Sequence, residues 1–306
     1  MSTAVLVFQA SGFFLAPLLF GVTNKTKAWF AGRNGPPLIQ PYYDLWRLLG
    51  KGAVYSETTT WVFRLGPPVG LAATGISLLV LPAGGLTSPL AFNGDIFLFA
   101  GLLATARFAV VISAMDTGSS FEGMGASREV TFGALAEPAL FLSLSSLVLV
   151  TSQLSLSGAI ASLEWPLWTE DIAPVFWLAA AALFVLMLVE NSRIPVDDPN
   201  THLELTMVHE VMVLDHSGPD FGYILYSSSL KMWLFASLIV GILYPLSMAS
   251  PWSGGLLRIA GIMLIGVAVG VVESIMARVR MVQVPRLLVG CMVMGVLGVA
   301  LAIAIR

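Results

Sequence analysis

Four ionisable residues stand inside or beside apolar runs, where a charge is costly. Glu137 lies in GALAEPALF, Glu190 closes LMLVE, Glu273 lies in GVVESIMAR, and Arg107 interrupts LLATARFAVV. A charged side chain at the centre of a bilayer costs about 2.5–3.5 kcal/mol on insertion scales, so residues of this kind are candidates for proton or ion pathways. The chemistry they offer is proton transfer along carboxylates in a hydrated cavity. The plainer reading is local ion pairing. Arg193 lies three residues after Glu190 on the same helical face. Arg278 or Arg280 would serve Glu273, and Arg107 would be a structural counter-charge.

The densest polar cluster is residues 190–220. It holds Glu190, Asp197, Asp198, Glu204, Glu210, Asp215 and Asp220, and all three histidines, His202, His209 and His216. His202 and His209 are seven residues apart, about 10.5 Å along a helix axis, too far to share an ion, and no HExxH is present. No metal site is expected in this chain. Histidine titrates near neutral pH, so a proton-exchanging or docking loop is the functional reading and a solvated acidic loop the plain one. Residues 116–131, DTGSSFEGMGASREVT, contain neither a P-loop nor GxGxxG, and no nucleophile–base pair stands out. The chain therefore offers no catalytic centre of its own.

The elements that position these residues are set by composition. Of the 306 residues, 57% are hydrophobic and 11% charged, with mean hydropathy +0.87. A soluble domain carries about 25% charged residues, so here the apolar side chains must face lipid. Runs of the roughly 20 residues a spanning helix needs occur at 3–23, 65–82, 95–115, 134–155, 173–191, 230–249, 255–276 and 285–305. This predicts an all-α integral membrane protein of eight spans, one domain over 1–306. Its long polar loops would cover 24–64, 116–133, 192–229 and 277–285. Counted with Lys231 and Arg286 at their margins, those loops hold 12 of the 15 lysines and arginines, which places them in the cytoplasm and both termini outside. The first apolar run has no basic leader or small-residue cleavage site and is read as a span. Residues 42–51 form an amphipathic segment whose Tyr42, Tyr43 and Trp46 suit the headgroup level. Asp198-Pro199 predicts a helix over 199–214, stopped by Gly218-Pro219. Cys291 is the sole cysteine, which excludes an intrachain disulfide and a cysteine-held iron–sulfur cluster. It reads as a buried inert thiol. The net charge of −3 suggests no nucleic-acid partner.

Three loop segments carry a resemblance. GRNGPPLIQPYYDLWRLLGK (32–51), FEGMGASREVTFGALAEPALF (121–141) and ENSRIPVDDPNTHLELTMVHE (190–210) resemble the subunit-1, or heel-subunit, family of respiratory complex I. They are more similar to its relatives in the group 4 nickel–iron hydrogenases of formate hydrogenlyase and hydrogenase-4 type, as is ESIMARVRMVQVPRLL (273–288). Val196 stands where the complex I pattern has Phe, and Asp198-Pro199-Asn200 follows, which favours the hydrogenase branch.

The resemblance implies a subunit of the inner (cytoplasmic) membrane with no cofactor in this chain. It would dock a hydrogenase large subunit and a small iron–sulfur subunit that carry the nickel–iron and iron–sulfur centres. It would also link electron transfer to proton or sodium movement through antiporter-like membrane subunits. By motif match, Arg33, Gln40, Asp44, Lys51, Arg128, Glu129, His202 and His209 belong to docking loops. Glu137, Glu190, Arg193, Asp197, Glu204, Glu210 and Glu273 belong to the ion-coupling set. Alternatives are a quinone-site subunit of a complex I-like dehydrogenase and, from another class, a stand-alone secondary transporter.

Overall fold

A computed structural model describes residues 3–82, 87–163, 171–197, 207–244 and 251–305. Eight long helices dominate these residues: α1 (Thr3–Phe30), α3 (Trp61–Val80), α4 (Asp95–Asp116), α5 (Ser120–Thr151), α7 (Ala173–Glu190), α9 (Gly218–Leu243), α10 (Pro251–Ile275) and α11 (Val284–Ile305). Each is long and apolar enough to cross a membrane. Three short helices join them: α2 (Gln40–Leu49), α6 (Leu156–Ala161) and α8 (His209–Met212). The chain is a multi-pass, all-helical membrane protein.

Central α9 is buried along most of its length and packs against α1, α3, α7 and α10. The α3–α4 pair closes one flank and α11 lies between α5 and α7. Small residues set the close approaches. A Cβ on Gly66 would come within 2.8 Å of the Ala109 carbonyl of α4, and one on Gly295 within 2.7 Å of Leu142 of α5. Such contacts suit helix association in lipid, where packing rather than burial from water joins helices. Large apolar side chains such as Phe14, Phe108, Leu264 and Ile303 point outward, as a lipid-facing surface requires.

Helices extend further into the expected loops than hydropathy suggests. Residues expected as a loop at 116–133 are mostly the first turns of α5, which runs unbroken from Ser120. The loop expected at 24–64 is shortened at both ends, by α1 running to Phe30 and by α3 starting at Trp61 behind the Thr60 N-cap. The loop at 192–229 shortens because α9 begins at Gly218. Pro219 lies in its first turn, where a missing N–H costs nothing, so Gly218-Pro219 opens a helix rather than stopping one. Of the helix expected over 199–214, residues 199–206 lie outside the described residues, and the remainder contains only the single turn 209–212. The common cause is that interior polar residues lower local hydropathy without breaking the helix.

Expected features also appear. Helix α2 lies at the amphipathic segment, with Tyr43 and Trp46 exposed and the Tyr42 hydroxyl donating to the Phe14 carbonyl at 2.6 Å. Cys291 is fully buried.

Candidate functional site

Arg107 extends from α4 into the space between α5 and α7. It lies nine residues before the end of α4, about 13 Å along the axis. One guanidinium there meets three carboxylates. Nη1 donates to Glu137 Oε1 at 2.8 Å, Nη2 donates to Glu190 Oε1, and Nε lies 3.5 Å from Glu129 Oε1. Arg107 and Glu190 are almost wholly enclosed, whereas the Glu137 side chain is 44% exposed and opens outward from the bundle. The second oxygen of Glu190 is buried with no hydrogen-bond partner among the described residues. One feature of α5 makes room for this cluster. Gly133 leaves the volume the guanidinium occupies, since a Cβ there would overlap it.

Glu190 ends α7, the shortest of the long helices, so the chain leaves the helix at the depth of Arg107. The segment that follows is buried through Asn191, Ser192, Arg193 and Asp197. Irregular backbone at membrane depth is tolerated when protein covers it or when it lines a cavity. Ser192 turns at φ 49°, and this redirects Arg193 away from Glu190. The expected Glu190–Arg193 pair is therefore absent. Arg193 Nη1 instead reaches Glu273 Oε1 at 3.4 Å, and its guanidinium sits 4.2 Å over the Phe20 ring. The other Glu273 oxygen pairs with Lys27 Nζ of α1 at 2.8 Å, not with Arg278 or Arg280. Helix α10 ends at Ile275, so Arg278 is no longer on its face. Arg278 binds Asp197 Oδ1 at 2.6 Å, while Asp197 Oδ2 accepts the Val208 N–H at 2.9 Å.

Two further groups bridge these clusters. Lys231, counted at the margin of the third loop, lies inside α9, where Nζ donates to the Glu190 carbonyl at 3.0 Å. His209 lines a small cavity with Arg107, Glu129 and Lys231. It also lines a larger cavity of about 330 Å³ with Asp44, Arg193, Asp197 and Glu210. Burial and then the Lys231 charge push the His209 pKa down to about 3. It is thus neutral at physiological pH rather than a charge carrier. The ionisable line runs from Glu137 through Arg107, Glu129, Glu190 and Lys231, past His209, to Asp197, Arg193, Glu273 and Lys27.

The expected docking residues separate into two sets. Arg33 and Lys51 are exposed, and Gln40 donates to Asp44 at 3.1 Å on α2. Glu129 faces Arg107 instead, and Arg128 Nη1 clamps the third loop by donating to the Met207 carbonyl at 2.8 Å. Glu204 and His202 lie outside the described residues. Sequence reasoning missed Lys231 and Lys27 as partners. Lys231 had a signal, since it interrupts an apolar run as Arg107 does. Lys27 had none, because its partner is distant in sequence. No group of His, Cys, Asp and Glu able to hold a metal occurs among the described residues.

Comparison with known proteins converges on one family. The NADH dehydrogenase family model matches residues 2–304. The chain is 34% identical over 282 residues to formate hydrogenlyase subunit 4 of Escherichia coli (strain K12), covering 90% of each chain. It is 31% identical over 272 residues to hydrogenase-4 component C of the same strain, covering 87% of this chain and 84% of that one. Its fold matches a chain of the membrane-bound sulfane sulfur reductase, an archaeal respiratory membrane complex, with TM-score 0.81, 17% identity and 98% coverage of both chains.

Proposed function

The chain belongs to the NADH dehydrogenase family, as a member like complex I subunit 1, and from that premise we propose that it is the anchoring and coupling subunit of a hydrogenase-type membrane complex. It holds no cofactor of its own. The soluble arm, with nickel–iron and iron–sulfur centres on its large and small subunits, docks on the face bearing Arg33, α2, Lys51 and the third loop. The observation that carries the coupling role is the shared Arg107. Three carboxylates around one enclosed cation cannot all be satisfied equally, so a proton or a small shift of one alters the hold on the others.

Coupling then proceeds from the third loop inward. Movement of residues 191–197 on docking or electron transfer changes the Arg193–Glu273 and Asp197–Arg278 pairs. It also changes the Glu190 backbone, which Lys231 grips. Glu190 exchanges its share of Arg107 with Glu129 and Glu137. Glu137, the most open of the three, passes charge or protons to an adjacent antiporter-like membrane subunit. The large cavity beside His209 and Glu210 supplies the hydrated inner end. The polar loops lie in the cytoplasm and both termini on the far side of the inner membrane.

A test is purification from native membranes in mild detergent, with mass spectrometry of companions and hydrogen evolution assayed with reduced viologen. A nickel–iron large subunit with activity is expected. The chain running alone and monodisperse overturns the assignment and returns the stand-alone transporter reading. The cavity also favours a second reading, a quinone site, because its volume falls in the range of about 300–1,000 Å³ typical of small-molecule pockets. A quinone-site inhibitor that leaves the parent complex unaffected removes that reading.

A further inference from the structure

On the side of the bundle away from the carboxylate clusters, Arg258 of α10 is 4% exposed. It lies seven residues into its helix, about 10 Å below the helix start. Its partners are all on Ser237 of α9. Nε and Nη2 donate to the hydroxyl at 3.1 and 2.7 Å, and Nη2 donates to the carbonyl at 3.0 Å. Nη1 is buried with no acceptor among the described residues. Arg258 lines a cavity with Gln9, Ser237, Trp233, Leu78 and Leu81, and no carboxylate is among the cavity's walls. The Gln9 amide donates to the Leu81 carbonyl at 2.6 Å, so these two wall groups already satisfy each other. By contrast, two other enclosed arginines among the described residues face carboxylates: Arg107 faces three and Arg193 faces Glu273. Arg258 holds a full positive charge, a spare donor and an adjoining void, and the described residues that line this void with it are neutral.

We propose that this cavity is a binding site for a small monoatomic anion of the halide class, held by the Arg258 guanidinium. Charge supports an anion, because a buried cation without a counter-charge is strongly disfavoured. Size selects the class. The cavity is about 20 Å³, enough for one water-sized particle and too small for a lipid phosphate or a carboxylate side chain from another subunit. Ser237 fixes the guanidinium plane so that Nη1 is the free donor. The bound anion neutralises the junction of α1, α3, α9 and α10 and stabilises the packing of α10 on α9.

The experiment uses the full chain in its purified membrane complex. Sodium gluconate is replaced by sodium chloride or bromide at constant ionic strength while thermal unfolding of this subunit is followed. A saturable rise in Tm of about 3 °C in halide is expected. The rise should vanish in Arg258→Met. Should that variant not assemble, Ser237→Ala keeps the charge but loosens its placement and should raise the half-saturating chloride concentration several-fold. Identical unfolding in gluconate and halide overturns the proposal and leaves the void to water. A halide response that persists unchanged in Arg258→Met, or in Ser237→Ala where that is the variant available, overturns it as well.

Discussion

At Arg107, one cation holds Glu129, Glu137 and Glu190 together deep in the bundle, and the residues around it are shaped to that purpose. Removing one side of an enclosed ion pair costs about 3–5 kcal/mol, because the remaining charge stays buried. Arg107→Met should therefore destabilise the subunit by about that amount, and adding Glu190→Gln should recover part of it; thermal unfolding of the single and double variants checks the coupling. Gly133→Ala tests the same geometry by volume alone. It should weaken coupling without removing any charge, read as fewer ions moved per turnover. The carboxylates themselves were legible, since Glu137 and Glu190 are expensive in lipid. Arg107 was legible as a counter-charge, but which carboxylates it holds was not. Pairing Glu190 with Arg193 assumes a continuing helix, and the chain turns at Ser192 instead.

Helix ends decide which side chains meet. Helix α7 stops at Glu190 and α10 at Ile275, so the third loop folds back against α5 and α10. Gly125 of α5 is the seat for that loop. A Cβ there would lie 2.9 Å from both the Val208 carbonyl and Met212 Cγ. Gly125→Ala should cost about 1–3 kcal/mol by overpacking and raise hydrogen exchange across residues 207–217 while leaving the long helices protected. All eight spans were readable from apolar runs of membrane length. Their extents were not. Arg128, Glu129, Asp220 and Lys231 lower local hydropathy, yet each points to an interior partner or packed loop, so the helices continue through them.

The whole molecule places its ionisable groups as a transverse line joined to the loops of one face, with a separate buried cation on the other side. The loops are held to the bundle partly by His216. Its ring stacks on Phe63 at 4.0 Å between centroids and its Nε2 lies 3.2 Å from the Ser113 hydroxyl. Burial lowers its pKa to about 4. The native state thus refuses a proton that the unfolded state accepts below about pH 6.5. Stability is fully present above that pH and falls as pH drops toward 4, by up to about 1.4 kcal/mol per pH unit for one such group. His216→Gln should flatten the slope of Tm against pH over that window. Composition and three loop motifs disclosed the family and membrane class. The continuity between clusters needed the fold, because Lys27, Lys231 and His209 come from three distant segments. The central claim is that Glu190 couples the loops to the membrane path. The most direct test is Glu190→Gln in the purified complex reconstituted into vesicles, with ion uptake measured alongside electron transfer. The account predicts an assembled complex that turns over while ion movement per electron falls to near zero. Unchanged ion movement per electron in that variant would contradict it.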